Sequence, residues 1–377
     1  MPGSPRRDAG LSRNGDISAL RLDGDIADLL RQLIDIESVS GDEGAVADQI
    51  EAALRPYGHL EVIRDGNVIT ARTHRGRAER ILIAGHLDTV PIAATSTGRN
   101  VPSWITGEGD ETIIWGRGSC DMKGGVAVQL AAAVELTEPN RDITWIFYDN
   151  EEVEESRNGL ARISREHPDY LQGSFAVLCE PSNAGVEGGC QGTMRVVVET
   201  SGVAAHSARS WKGRNAIHAA AEVLQRLADY EPQQVEVDGL RYREGLNAVG
   251  ITGGIAGNVI PDRCSIEVNY RFAPDKDPAQ AEAHVRTVLD GFDMTVTDVA
   301  PGARPGLDRP VAAEFLTAVG GTASAKFGWT DVARFSAMGI PAVNFGPGDP
   351  SKAHADDEFC PAADLVTCRD ALLRWLG

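Results

Sequence analysis

The sequence is short of positive charge. It carries 36 Lys and Arg against 55 Asp and Glu, a net charge of −19. That deficit excludes nucleic acid or an anionic membrane surface as the main partner. No apolar run approaches the ~20 residues of a membrane-spanning helix. No cysteine pair has C-x-x-C spacing, and the six cysteines (Cys120, Cys179, Cys190, Cys264, Cys360, Cys368) are scattered. Reduced, mostly buried thiols and a cytoplasmic location are therefore expected. The opening MPGSPRRDAGLSRNGD has basic residues but no apolar core, so it does not read as a secretory signal. Residues 1–20 are expected to form a flexible tail, or to reflect an upstream start codon. Two signatures are also missing. There is no G-x-S-x-G elbow of a serine hydrolase, and no G-x-G-x-x-G turn of a dinucleotide-binding fold after the first strand.

The 377 residues are enough for two domains, since a single core rarely grows past ~250–300 residues. Helical spacing of apolar residues covers 26–36, 43–54, 124–138 and 364–376. Near-continuous apolar runs at 80–90 (RILIAGHLDTV), 143–148 and 175–179 (FAVLC) predict buried strands. Strands of this kind alternating with helices predict an α/β core covered on both faces. The middle of the chain differs. Strands at 194–199, 247–252, 264–272 and 294–299, with helices at 215–230 and 278–289, give the order βαββαβ. The expectation is a small ferredoxin-like α+β domain at 191–300, inserted into a larger α/β domain of 21–190 and 301–377.

Acidic and imidazole side chains follow each large-domain strand. His86 and Asp88 come after ILIAG, Glu151 and Glu152 after ITWIFY, and Glu180 after FAVLC. Open α/β sheets place their sites at such carboxyl ends. Asp121 and His354 lie in the Gly-rich loops GRGSCDMKGG and FGPGDPSKAHADDE, where glycine permits tight turns. Two histidines with several carboxylates and no thiolate set suit a pair of zinc ions in a hydrolase, with manganese or cobalt as substitutes. Glu151 and Glu152 offer one carboxylate for metal and one for a proton. Asp88 is placed to orient His86 from behind. Glu154 and Glu155 read instead as the acidic start of a helix. His59, His74, His167, His218 and His284 lack such company and read as structural or surface residues.

In the motifs GHLDTVP (85–91), WGRGSCDMKGG (115–125), NEE (150–152), CEPS (179–182), AHSAR (205–209), GNVIPD (257–262) and AHADDEF (353–359), the sequence resembles the co-catalytic zinc amidohydrolases. That family includes aminoacylases, acetylornithine deacetylases and succinyl-diaminopimelate desuccinylases, and the likeness covers nearly the whole chain after about residue 20. The resemblance implies a zinc-exopeptidase-like catalytic domain with an inserted lid and dimerisation domain. It also implies roles: His86 and Glu180 on one zinc, Glu152 and His354 on the other, Asp121 bridging, and Glu151 as general base and acid. His206, in AHSAR, would reach across a homodimer to the partner's site and stabilise the oxyanion. KFGWTDVARF (326–335), GIPAVNFGPGDP (339–350) and NYRF (269–272) resemble the desuccinylases of the actinobacterial type. They imply N-succinyl-LL-diaminopimelate as substrate, with Arg271, Asn258 and Thr330 as candidate substrate-binding residues. GGCQGTM (188–194) departs from some desuccinylases in having no arginine before Arg195. Deacetylation of acetylornithine, or another N-acyl-amino-acid or dipeptide hydrolysis, is the alternative, because the metal ligands do not set the acyl pocket.

Overall fold

In the computed structural model, which describes residues 19–95 and 98–377, the apolar runs lie side by side in the middle of one sheet. Its eight strands follow the order Glu61–Asp65, Val68–Arg72, Asp142–Tyr148, Arg80–His86, Phe175–Leu178, Ala342–Asn344, Val186–Gly188 and Ala323–Ala325. The four central strands from Asp142–Tyr148 to Ala342–Asn344 are mutually parallel. Being covered on both faces, they need no apolar–polar alternation. Ile81, Ile83, Trp145 and Phe147 point into one cluster with the helices Ile26–Asp35, Lys123–Glu135 and Ala362–Leu376. Leu82, Ala84, Ile146 and Tyr148 point into the other, with Leu160, Ile163, Val332 and Phe335. Registers of His86 with Tyr148, Ala84 with Leu178, and Leu178 with Asn344 bring these strands to one edge at their carboxyl ends.

A second sheet is antiparallel throughout, in the order Gly245–Gly253, Arg263–Phe272, Gly192–Ser201, Asp293–Ala300. Helices Ala216–Ala228 and Pro278–Val288 cover one face through Ala220, Val223, Ala281 and Val285, packed on Val196, Val198, Ile266 and Val268. By alternation the opposite face carries Thr193, Arg195, Asn269 and Arg271. Two chain crossings join the sheets, and there Cys190 and Ala303 exchange backbone hydrogen bonds of 3.0 Å. A hairpin of Gln234–Val237 and Leu240–Arg243 was not anticipated. Its signal was an Asp-Gly turn, with φ of 48° at Asp238 and 82° at Gly239.

Other differences are local. The 80–90 run stops as strand at His86, and the 124–138 helix ends at Glu135. Glu154 and Glu155 do not open a helix. The next one, Gly159–Glu166, is capped by Asn158, and Glu155 pairs with Arg334 instead. The expected tail lies outside the described residues up to residue 18, and Leu20, within its stated span, is buried against the core. All six cysteines are free and buried. No helix among the described residues is long and apolar enough to cross a membrane.

Candidate active site

The common edge of the parallel strands gathers the acidic and imidazole groups. His86 is the last residue of its strand and is 1% exposed. Its Nε2 lies 3.0 Å from Asp121 Oδ1 and 4.0 Å from Glu180 Oε1. His354 approaches from the opposite side, its Nε2 3.4 Å from Asp121 Oδ2 and 3.0 Å from Glu152 Oε1. The two oxygens of Asp121 thus face two histidines, each with a further carboxylate of its own. Ligand atoms of His86, Asp121 and Glu152 all lie within 4.8 Å of one another. Imidazole nitrogens and carboxylate oxygens at this spacing, with no thiol in the group, fit borderline divalent cations such as zinc.

The loops are held from behind. Asp88 is fully buried, and its carboxylate accepts from Ser40 Oγ at 2.7 Å and from the backbone N–H groups of Glu151 (2.9 Å) and Glu152 (3.1 Å). His86 Nδ1 makes its shorter contact with the Asp88 backbone carbonyl, at 2.9 Å, against 3.5 Å to the carboxylate. So Asp88 fixes both the imidazole and the Glu151–Glu152 turn, which is more than sequence position suggested.

Electrostatics mark a site with more carboxylates than positive charge to balance them. Burial pushes the Glu151 carboxyl well above the usual range, with Glu180, Asp331 and Glu152 adding to the effect against His86. Burial and the charge of Asp121 push Glu180 up to about 8. The Glu151 carboxylate has no hydrogen bond or ion pair among the described residues. His354 is raised to about 10 by the Asp121 and Glu152 carboxylates. Burial works against protonation of His86, yet the Asp121 and Asp88 carboxylates hold it well above its ordinary value.

The other expected site residues lie elsewhere. His206 is exposed, and its Nδ1 accepts from Ala208 N at 3.0 Å. It pairs with Val259 on a two-residue strand, and Ser207 N donates to Asn258 O at 2.9 Å, which makes His206 and Asn258 neighbours. Arg271 is half-buried on the second sheet, with no hydrogen bond or ion pair among the described residues. Burial, with Arg195 nearby, lowers its pKa. Thr330 is 4% exposed, and its hydroxyl donates to Asn344 Oδ1 at 2.8 Å. None of the four touches the His86–Asp121–His354 group in this chain.

Three supporting residues escaped the sequence reading. Buried Lys326 donates to Pro181 O at 3.0 Å and pairs with Glu187 at 2.8 Å, beneath Glu180. Buried Lys123 donates to Leu33 O and Ile36 O at the end of the first helix. Glu358 holds the loop that carries Asp121. Their only signal was adjacency to a ligand motif, because such partners are set by the fold and not by spacing. Elsewhere, Asp65, Glu166 and His167 also cluster, but Arg162 already pairs with both acids.

Comparisons with known proteins show what the chain as a whole is similar to. Residues 82–377 match peptidase family M20/M25/M40. A Mycobacterium tuberculosis protein provisionally named succinyl-diaminopimelate desuccinylase DapE is 51% identical over 361 residues, 95% of this chain and 99% of the relative. The succinyl-diaminopimelate desuccinylase of Corynebacterium glutamicum is 46% identical over 369 residues, 95% of this chain and 98% of the relative. Among solved structures, the Bacillus subtilis YXEP protein, described as a dinuclear metal-binding peptidase, superposes with a TM-score of 0.68 at 17% identity, covering 93% of this chain and 96% of that one.

Proposed function

The chain belongs to peptidase family M20/M25/M40 and is a metal-dependent hydrolase; from that premise we infer that it removes the succinyl group from N-succinyl-LL-diaminopimelate, giving succinate and LL-diaminopimelate. Identity of 46–51% over 95% of the chain to the desuccinylases supports the substrate. The observation that carries the chemistry is Asp121, with one oxygen 3.0 Å from His86 and the other 3.4 Å from His354.

We assign His86 and Glu180 to one zinc, Glu152 and His354 to the second, and Asp121 to both. Two zinc ions held there would polarise the amide carbonyl and lower the pKa of water. Glu151 takes the proton of the attacking water. Burial raises its pKa above the usual carboxylate range, and it has no other partner among the described residues to hold its proton, which suits a general base. It then returns that proton to the departing amine. Asp88 keeps Glu151 aimed by accepting its backbone N–H.

Residues 191–300 act as lid and dimerisation domain in this reading. An edge strand with exposed Val249 and Ile251, followed by Ile255 at 84% exposure, supports pairing with a second copy. His206 of one subunit then serves the partner's site by donating to the oxyanion. The unpaired Arg271 guanidinium suits a substrate carboxylate, which it can grip through two parallel hydrogen bonds. Asn258 and Thr330 complete the proposed substrate contacts.

The test is initial-rate hydrolysis of N-succinyl-LL-diaminopimelate and N-acetylornithine by zinc-loaded protein, with a chelator control. Chelator-sensitive turnover of the succinyl compound alone is expected. Turnover of acetylornithine instead overturns the substrate and leaves the metal ligands in place.

A further inference from the structure

Glu358 is 1% exposed and lies outside the proposed ligand set. Its Oε2 accepts from Arg117 Nη1 at 2.8 Å and Gly118 N at 3.0 Å, and its Oε1 accepts from Cys120 N and Asp121 N, both at 3.0 Å. The main chain adds a further bond, from Gly116 N to Glu358 O at 3.1 Å. One side chain therefore satisfies three buried amides of the loop that presents Asp121, including the amide of Asp121 itself. The same residue follows His354 by four positions, and Arg117 reaches back to Ala355 O at 3.1 Å. Just beyond it, Phe359–Pro361 pairs antiparallel with Ile113–Trp115. His354 itself sits in the left-handed region, with φ of 65°, so its loop is not set by regular secondary structure. The Glu358 carboxylate thus makes four of the bonds that join the Asp121 loop to the His354 loop, beside the Gly116–Glu358 and Arg117–Ala355 bonds and a contact of Cys120 Sγ with Asp349 O at 3.0 Å.

We propose that Glu358 is a positioning residue that fixes Asp121 relative to His354 and thereby sets the affinity for the metal ion these two share, without touching metal or substrate. Carboxylates that accept backbone amides are strong, directional anchors. Replacement by an amide presents an N–H to donors that already need an acceptor, so the Asp121 loop must shift. A role confined to general stability would lower the melting temperature and leave metal binding alone. The inference rests on the metal assignments above. If wild-type protein binds no zinc, those assignments fail, and Glu358 is not what has been tested.

The experiment is zinc titration of chelator-stripped wild type, Glu358→Gln and Glu358→Asp against a competing chromophoric chelator, followed by kinetics at limiting and excess zinc. In Glu358→Gln one zinc equivalent should weaken by about 10–100-fold, the range for lost partners of metal ligands. The other, which also uses Asp121, should weaken by less, and excess zinc should restore much of kcat with KM unchanged. Glu358→Asp keeps the charge but is one methylene too short to reach all its donors, so its loss should be intermediate. A folded Glu358→Gln with both zinc affinities like wild type overturns the proposal. Should Glu358→Gln fail to fold, Glu358→Asp decides the matter: weaker binding of one equivalent supports the proposal, and unchanged binding overturns it.

Discussion

Asp142 begins a strand at one edge of the large sheet, while Glu151 and Glu180 follow strands at the other. Asp142 accepts from Arg75 N at 2.6 Å, Arg77 N at 3.0 Å and Thr73 Oγ1 at 3.1 Å, with Arg80 at 3.9 Å. Burial alone would raise its pKa, yet these donors bring it below the ordinary value. Glu180 is as enclosed and Glu151 half-buried, and burial raises both. The chain neutralises acid by itself at one edge and, among the described residues, leaves Glu151 and Glu180 without a hydrogen-bonded partner at the other. Unpaired buried carboxylates are costly, so the second edge makes physical sense as a place for divalent cations.

The largest effect should come from breaking the uncompensated edge. Glu151→Gln should lose about 10²–10⁴-fold in kcat, the usual worth of a general base, while still binding zinc by titration. A variant with near-normal kcat contradicts the assignment. His206→Ala comes next, with an expected loss of about 10²–10³-fold, typical of one oxyanion donor. Mixing the two variants and allowing subunit exchange should recover activity, because one site per heterodimer then has both groups. No recovery after confirmed exchange would exclude action in the partner's site. Arg271→Met should raise KM for the succinyl substrate by about 10–100-fold, from a charged hydrogen bond worth ~1.5–3 kcal/mol, with kcat little changed. An unaltered KM would remove Arg271 from the substrate site.

The compensated edge should respond differently. Asp142→Asn should leave kcat and KM alone and lower stability at neutral pH by about 1–3 kcal/mol, the cost of weakening a buried acceptor. Because its folded pKa is depressed, Asp142 stabilises above its unfolded pKa of ~3.9 and loses this as pH falls through the folded value. Denaturation curves of variant and wild type should therefore converge toward low pH. Persistent separation there would mean that the carboxylate charge is not what stabilises.

The sequence made the large sheet and the proposed ligands legible for one reason: buried parallel strands have no polar positions until they end. RILIAGH and ITWIFY run apolar up to His86 and to the residues just before Glu151, so the first polar residues mark the edge of the sheet. Asp121 and His354 were visible through their Gly-rich loops. Asp88 was read as a partner of the His86 ring, whereas its carboxylate mainly holds the Glu151–Glu152 turn. Glu358 and Lys326 were not legible, since their partners are backbone groups distant in sequence: Asp121 N for the first, Pro181 O for the second. The Gln234–Arg243 hairpin had a readable Asp-Gly turn, but its strands are only four residues each.

If metal completes the acidic edge, the stability of the protein should depend on pH in a way that zinc removes. Without metal, burial holds a proton on Glu180 up to about pH 8, long after the unfolded chain has lost it. Stability of the stripped protein should therefore fall as pH rises through that window. His354, raised to about 10 by Asp121 and Glu152, acts with the same sign: its stabilisation is complete below its unfolded pKa near 6.5 and fades as pH climbs. Zinc displaces these protons, so its binding strengthens with pH. The decisive measurement is the melting temperature of stripped and zinc-loaded protein from about pH 5 to pH 8. The gap is expected to widen steadily with pH. A gap that stays flat, or no stabilisation by zinc, would contradict completion of the edge by metal.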